Sequence, residues 1–478
     1  MAPDRIGILA GAASVPTGYL DLAEVGRAYD GSSKGRRAVA HFDEDAVTLA
    51  ASAALAAVER AGGVDEPTMT VLATTAAPYK VRASASIVAA VAGTTGPAPS
   101  RELAGGARGG VAALVAAADA VAAGRVRRAL VAAGERRPAE PGSDWERTYG
   151  DGGAAVVVGS GDGVLAELVG WGAVTDEVVE PFALDTGSFA QPIDMSLWRK
   201  TALAPSMIAA ANAALADAGL APKDVAGAVV ASDDPRTAKL VGAQLGVPVV
   251  APDVPLGAMG AAEPLLLALR ALEDADPGAH VLVVGFGNGA EAVVLRATEA
   301  LAQARTRVAV TADIKANSRT LPYTRYLRHR GLLAAESEVV EPLASQALTA
   351  REAASLYRLE GLVCGKCDAI QFPKRAVCWR CGAREGFDTT TLGRTGSLFT
   401  YTAGTLYPTP DVATIMGVAQ LDGEGRFYTQ LTEALPEEVS VGMQVELVFR
   451  LMHRGGGFNN YFWKLRPVKD AAGSEEAA

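Results

Sequence analysis

A chain of 478 residues, 49% of them hydrophobic, carries enough apolar surface for several buried cores. Its formal net charge of −10 argues against general nucleic-acid binding. Its most apolar stretches, such as 110–124, are interrupted by Asp119 and too short to cross a bilayer, so no membrane span is expected.

The start, Met1-Ala-Pro-Asp-Arg-Ile-Gly-Ile-Leu9, lacks a basic region followed by an apolar run, so no signal peptide is expected and a cytoplasmic location is. The first 300 residues then contain a duplication. Val71-Leu-Ala-Thr-Thr-Ala-Ala-Pro78 resembles Val229-Val-Ala-Ser-Asp-Asp-Pro235, each after an alanine-rich helical pattern, 46–61 and 205–218. The glycine-rich turns Gly105–Leu114 and Leu256–Leu265 each open a long apolar helix. The buried-strand runs Arg128–Gly134 and His280–Gly285 match, as do Gly150–Val158 and Gly287–Leu295. Apolar runs alternating with helices predict parallel sheets covered on both faces. The repeats are placed at about 5–160 and 161–297 within a domain 1–300.

Residues 301–350 break this pattern and read as a crossover with some helix, then a linker. Thr349 followed by Glu352 is a capping-box signal for a helix that leads into the segment 351–392. That segment holds all four cysteines of the chain, Cys364-Gly-Lys-Cys367 and Cys378-Trp-Arg-Cys381. Two such pairs predict a four-sulfur structural zinc site, with no coordination position left for catalysis. Beyond it, 396–402, 413–421, 426–431, 444–449 and 461–467 alternate as short strands between glycine turns, which predicts a small OB-type barrel over 393–468. The tail 469–478 is expected to be disordered.

The duplicated half resembles the thiolase superfamily, in its HMG-CoA-synthase and ketoacyl-synthase-III branch, over about 5–297. Residues 351–468 resemble the zinc-ribbon/OB-fold family that partners thiolase-like proteins and CoA-dependent aldolases. Gly361-Leu-Val-Cys-Gly-Lys-Cys-Asp-Ala-Ile-Gln-Phe-Pro373 and Val448–Gly457 with Tyr461–Pro467 carry that likeness. The resemblance implies an α/β, duplicated αβαβα layered fold followed by a rubredoxin-like zinc ribbon and an OB-fold β-barrel. It also implies an acyl-CoA or acyl-carrier thioester as substrate, a homodimer, and a further thiolase-like or hydratase partner.

The family's catalytic residues do not carry over. Its nucleophilic cysteine begins a Cys-x-Gly-Gly-x-Ala-Ala-Leu segment, which here is Ala107-Arg-Gly-Gly-Val-Ala-Ala-Leu114. The His-x-Pro histidine is matched by Asp233 of Asp233-Asp-Pro235. The asparagine of Gly-Asn-x-x-Ala-Ala is matched by Ala258, and the synthase's glutamate region, Ala73–Lys80, has no acid. So many losses together favour natural divergence over an engineered trap. Without a thiolate there is no acyl-enzyme. Two helix openings, near Ala107 and Met259, remain to polarise a thioester carbonyl.

The leading expectation is therefore aldol or retro-aldol chemistry on a β-hydroxyacyl thioester. The alternatives are an HMG-CoA-synthase-like condensing enzyme or acyltransferase with a different nucleophile, and a non-catalytic acyl-CoA-binding scaffold. Asp233 is the candidate general base, against the bland reading of a turn-capping aspartate. Tyr79 and Lys80 are candidate proton donors to an aldol oxygen, and Tyr149, before the turn Gly150–Gly153, is a further catalytic candidate. Arg199, Lys200, Arg236 and Lys239 are candidates for CoA phosphates, and Arg108 for a substrate carboxylate or an acid across a dimer. Tyr407, His453 and Asn459 are expected in barrel loops that close over an acyl chain.

Overall fold

The computed structural model describes residues 5–63, 68–184, 187–333, 343–405, 409–423 and 425–468. The chain divides into two units, Met1–Ala40 with Asp45–Tyr323, and His41–Glu44 with Thr324–Ala478.

In the first unit nine strands hydrogen-bond in series: β1 (Ile6–Ser14), β2 (Thr68–Ala73), β3 (Ser100–Leu103), β4 (Arg128–Glu135), β5 (Gly152–Ser160), β6 (Ala166–Thr175), β7 (Gly227–Ala231), β8 (His280–Phe286) and β9 (Gly289–Ala297). Their order is β3-β2-β4-β5-β1-β6-β9-β8-β7. The two halves mirror one another. Within the sheet they join where β1 meets β6, through Gly7 opposite Glu167 and Ile8 opposite Ala166. The four matched sequence segments fall on equivalent elements, β2 with β7, β4 with β8, β5 with β9, and the openings of two helices.

The sheet differs from the expectation in one respect. Pairing is parallel at β3-β2-β4 and β8-β7 but antiparallel from β4 through β5, β1, β6 and β9 to β8. Buried apolar strands cannot disclose direction, because both arrangements bury both faces once helices cover them.

Helices α1 (Ala46–Arg60) and α3 (Ala204–Asp217) cover the outer faces of the two halves, while α2 (Gly106–Ala122) and α4 (Ala262–Asp274) pack together between them. The result is the layered αβαβα arrangement. The main core, which includes Val111, Leu114, Leu265, Leu269, Val131 and Val283, surrounds that central pair. Close approach there depends on Gly110. A Cβ on it would lie 2.1 Å from the Ala261 carbonyl oxygen, so even alanine forces the helices apart. Residues 301–323 belong to this unit. Ile314 is fully buried, and Arg319–Thr320 pairs with Gly18–Tyr19. The first unit thus runs past the expected boundary at 300.

In the second unit, α5 (Gln346–Arg358) begins at Ser345, whose hydroxyl accepts from the Leu348 N–H at 3.2 Å. Thr349 lies inside the helix, so the expected cap was one turn too late. The zinc-ribbon strands Ile370–Gln371, Glu360–Cys364 and Phe387–Thr391 form a three-stranded sheet. Strands β10 (Thr395–Gly404), β11 (Thr414–Leu421), β12 (Arg426–Leu431), β13 (Gln444–Gly455) and β14 (Phe458–Pro467) close a barrel in the order β10-β11-β12-β14-β13. The last two strands run longer than predicted and turn at Gly456–Gly457, with His453 opposite Asn460 and Arg454 opposite Asn459. His453 and Asn459 are therefore strand residues, not loop residues. Tyr407 and the tail 469–478 lie outside the described residues. Among the described residues no helix is long and apolar enough to cross a membrane.

Replacing Gly110 by alanine is expected to destabilise the protein by about 1–3 kcal/mol, the usual cost of overpacking. Urea unfolding followed by tryptophan fluorescence measures it. An unchanged midpoint contradicts the close contact of α2 with α4.

Candidate functional site

In the first unit a cavity of about 260 Å³ opens at the start of α2. Its lining includes Thr75, Gly106, Ala107, Arg137, Tyr149 and Asp233. Gly105 and Gly106 enter the helix with φ of 116° and 59°, a left-handed turn that only glycine adopts freely. No side chain caps this helix. Its first-turn N–H groups are thus the kind of donor set that attracts negative charge, beside the methyl of Ala107.

The second expected helix opening is differently used. The N–H of Ala261 donates to Glu135 Oε1 at 3.2 Å, and that of Met259 donates to Glu263 Oε2 at 3.2 Å. The amides near Met259 therefore serve the protein's own carboxyl groups and are not open to a thioester carbonyl.

Arg137 organises the centre. Its Nη1 donates to both oxygens of Asp233 at 2.7 Å, and its Nη2 donates to the Ala258 carbonyl at 2.8 Å. The guanidinium lies 3.8 Å from the centroid of the Tyr149 ring. Tyr149 also stacks on Trp145 at 5.1 Å. Burial pushes the Tyr149 phenol well above its ordinary value, with Asp233 adding to the effect.

Two carboxyl groups around this guanidinium are shifted into the neutral range. Burial raises Glu135 to about 7, against the opposing pull of Arg137 and of hydrogen bonds from Thr75. Both the Thr75 N–H and the Thr75 hydroxyl donate to Glu135 at 2.9 Å. Burial likewise raises Glu263 to about 8, partly offset by the Met259 N–H and Arg137. Glu180, on the cavity wall, is raised by burial as well.

Asp233 and Tyr149 both line this cavity, with the Arg137 guanidinium against each. The capping role goes to the next residue. Asp234 accepts from the Arg236 N–H at 3.3 Å and from the Thr237 hydroxyl at 2.8 Å, which frees Asp233 to face Arg137. Tyr79 and Lys80 are not among the cavity residues; the Arg82 guanidinium lies 5.5 Å from the Tyr79 ring. Arg199 pairs with Asp234, while Lys200, Arg236 and Lys239 are exposed. Arg108 turns from the cavity to the Gly287 and Asn288 carbonyls at 3.3 and 3.0 Å, with Glu291 3.5 Å away in the same chain.

Arg137, Glu135 and Glu263 escaped sequence reading. The one available signal was a glutamate ending the buried run Arg128–Glu135, where an apolar residue costs less.

In the ribbon the cysteines sit on two equivalent turns. The Asp368 N–H donates to the Cys364 carbonyl at 2.8 Å, and the Gly382 N–H to the Cys378 carbonyl at 3.0 Å. Asp368 and Gly382 follow the second cysteine of each pair, both with positive φ, 58° and 73°. The pairs Cys364–Cys381 and Cys367–Cys378 are each 3.7 Å apart between sulfurs, and all four sulfurs lie within 4.8 Å of one another. A tetrahedron of Zn–S bonds of about 2.3 Å has edges of about 3.8 Å, so the four thiols fit a zinc ion.

Comparison with known proteins agrees with this architecture. Residues 351–386 match the family described as the ChsH2 rubredoxin-like zinc ribbon domain, and 389–450 the ChsH2 C-terminal OB-fold domain. A hydroxymethylglutaryl-CoA synthase of Pyrobaculum aerophilum is 28% identical over 69% of this chain and 98% of its own length. A DUF35 domain-containing scaffold protein of Methanocaldococcus jannaschii is 29% identical over 24% of this chain and 84% of its own. The solved structure of MvaS in complex with 3-hydroxy-3-methylglutaryl coenzyme A superposes with a TM-score of 0.61 at 21% identity, covering 71% of this chain and 95% of that one. The chain therefore joins a thiolase-fold unit, similar in sequence to hydroxymethylglutaryl-CoA synthases, to a zinc ribbon and OB-fold domain of the ChsH2 type.

Two outcomes are expected. Cys378→Ser lowers the zinc content of the purified protein by one equivalent, read by mass spectrometry of the metal. Glu135 concerns pH. Its carboxyl is raised from about 4.5 to about 7 by folding. Its favourable contribution is thus complete below 4.5 and lost as pH rises through 7. Glu135→Gln should flatten that decline, by up to about 3 kcal/mol between pH 4.5 and 8. Calorimetric melting across this range measures it.

Proposed function

We propose that the first unit acts on acyl-CoA thioesters, making or breaking a carbon–carbon bond by an aldol route without an acyl-enzyme. The observation that carries this reading is the Thr75–Glu135 pair. A hydroxyl on the cavity wall is hydrogen-bonded to a carboxyl poised near neutrality, while the residue at the opening of α2 is alanine. A base with a pKa near the working pH is best suited to proton transfer. The likeness to hydroxymethylglutaryl-CoA synthases supports an acyl-CoA condensing enzyme in the broad sense. The ligand of the MvaS structure, 3-hydroxy-3-methylglutaryl coenzyme A, is itself a β-hydroxyacyl thioester.

In the cleavage direction, Glu135 takes the β-hydroxyl proton through the Thr75 hydroxyl. The Cα–Cβ bond breaks, its electron pair forms the thioester enolate, and an aldehyde or ketone leaves. The N–H groups at the opening of α2 stabilise the enolate oxygen. The enolate then takes a proton at Cα, returned from the protonated Glu135 through the Thr75 hydroxyl, to give the shortened acyl-CoA and restore the carboxylate. Asp233 pairs with Arg137 through both oxygens and serves to orient that guanidinium. The exposed Lys200, Arg236 and Lys239 are the remaining candidates for CoA phosphates. Arg199 is committed to Asp234, which argues against a phosphate role for it.

A second reading rests on the match of the C-terminal part to a protein named as a scaffold. In it the second unit docks a thiolase-like or hydratase partner, and the homodimer forms through the first unit.

The test is a panel of β-hydroxyacyl-CoA thioesters assayed for release of aldehyde or ketone. Turnover is expected, and Glu135→Gln is expected to lower kcat on the order of 100-fold and abolish the inflection near pH 7. A covalent acyl adduct in intact-protein mass spectra would overturn the mechanism. Binding across the panel without turnover would favour the scaffold.

A further inference from the structure

The chain has four histidines, and three of them gather in one part of the second unit. The rings of His41 and His329 lie 4.7 Å apart at 72°. His453 lines the same 230 Å³ cavity as His41 and Asp411. We propose that His41, His329 and Asp411 bind a second divalent transition-metal ion, of the zinc class, independent of the ribbon. One ligand atom from each lies within 4.8 Å of the others. Metal–nitrogen and metal–oxygen bonds of about 2.0–2.2 Å bring such atoms to about 3.3–4.2 Å, a closure that small side-chain rotations supply.

Three features favour a metal over a purely structural ion pair. The first is the outer carboxylate. His41 Nδ1 lies 2.8 Å from Asp43 Oδ1, and Asp43 Oδ2 accepts from Lys464 Nζ at 2.9 Å. A carboxylate behind an imidazole fixes the tautomer and directs the other nitrogen, Nε2, to the ion. Nε2 is the atom 3.1 Å from Asp411 Oδ2, the contact an ion would replace. The second is burial. The side chains of His41 and Asp411 are only 12% and 13% exposed, and His329 is 4% exposed. The third is chemistry. Two imidazoles and one carboxylate form a borderline N/O donor set suited to zinc, and three protein ligands leave one position open. That position faces a cavity lined by Thr409, Thr432 and His453, room for a water or a small oxygen ligand.

The three ligands come from distant parts of the sequence and have no local reason to meet. His41 follows the strand Arg36–Ala38, His329 ends the helix Tyr323–His329, and Asp411 precedes β11. Whether the first unit is an aldolase has no bearing on this site.

The full-length protein, purified with zinc in modest excess and then desalted, is expected to hold two zinc ions per chain. Cys378→Ser and His329→Ala are each expected to hold one. Zinc X-ray absorption of the unsubstituted protein needs no variant. It is expected to show nitrogen or oxygen neighbours at about 2.0–2.1 Å together with sulfur at about 2.3 Å. One zinc per chain with a sulfur-only shell would overturn the proposal. So would two zinc ions retained in a folded His329→Ala, Asp411→Ala double variant.

Discussion

The guanidinium of Arg137 is the contact on which the candidate site depends. It comes from the residues just after β4 in the first repeat, and it grips Asp233 and the Ala258 carbonyl of the second. The two halves share few direct hydrogen bonds between their sheets. A single buried cation that satisfies groups from both therefore fixes how the loops of one repeat meet those of the other. Such a cation is costly to bury unless paired. Asp233 supplies the pairing, and the π face of Tyr149 covers it.

Around that cation the acids divide by environment. Asp233 faces it directly with both oxygens. Glu135 and Glu263 lie beside the opening of α4, accept its amides, and are held near neutrality because burial outweighs the partial charges they receive. The two central helices, equivalent by duplication, have thus diverged at their openings. One presents bare amides beside Ala107; the other has its amides bound by carboxyl groups. A thiolate at position 107 would have used the first opening for itself. Alanine puts no thiolate there.

The second unit buries a charged network beside its apolar barrel core. Arg450 and Lys464 are almost wholly buried among Asp43, Glu44 and Glu433. Removing one partner of such a network leaves an uncompensated charge, and the loss exceeds the worth of the pair. The ribbon's two equivalent turns bring four thiols within 4.8 Å of one another, a set that fits a metal ion.

Sequence by itself determined the elements that repeat and the elements whose spacing is chemical. Periodic apolar runs disclosed the duplication. Two CxxC pairs disclosed the ribbon, and alternating strands the barrel. The alanine that begins Ala107-Arg-Gly-Gly110 was equally plain. Side-chain partners were a different matter. Nothing in Arg136-Arg137-Pro138 distinguishes a buried cation from a surface one. Glu135 looks like the polar end of a strand until Thr75 and Ala261 are seen to enclose it. Whether Asp233 or Asp234 caps the following helix turns on a backbone angle that both residues can adopt. Strand direction and the meeting of His41 with His329 and Asp411 depend likewise on contacts between residues far apart in the chain. Only tertiary structure decides these, because a pKa, an ion pair or a metal site belongs to a place in space and not to a stretch of chain.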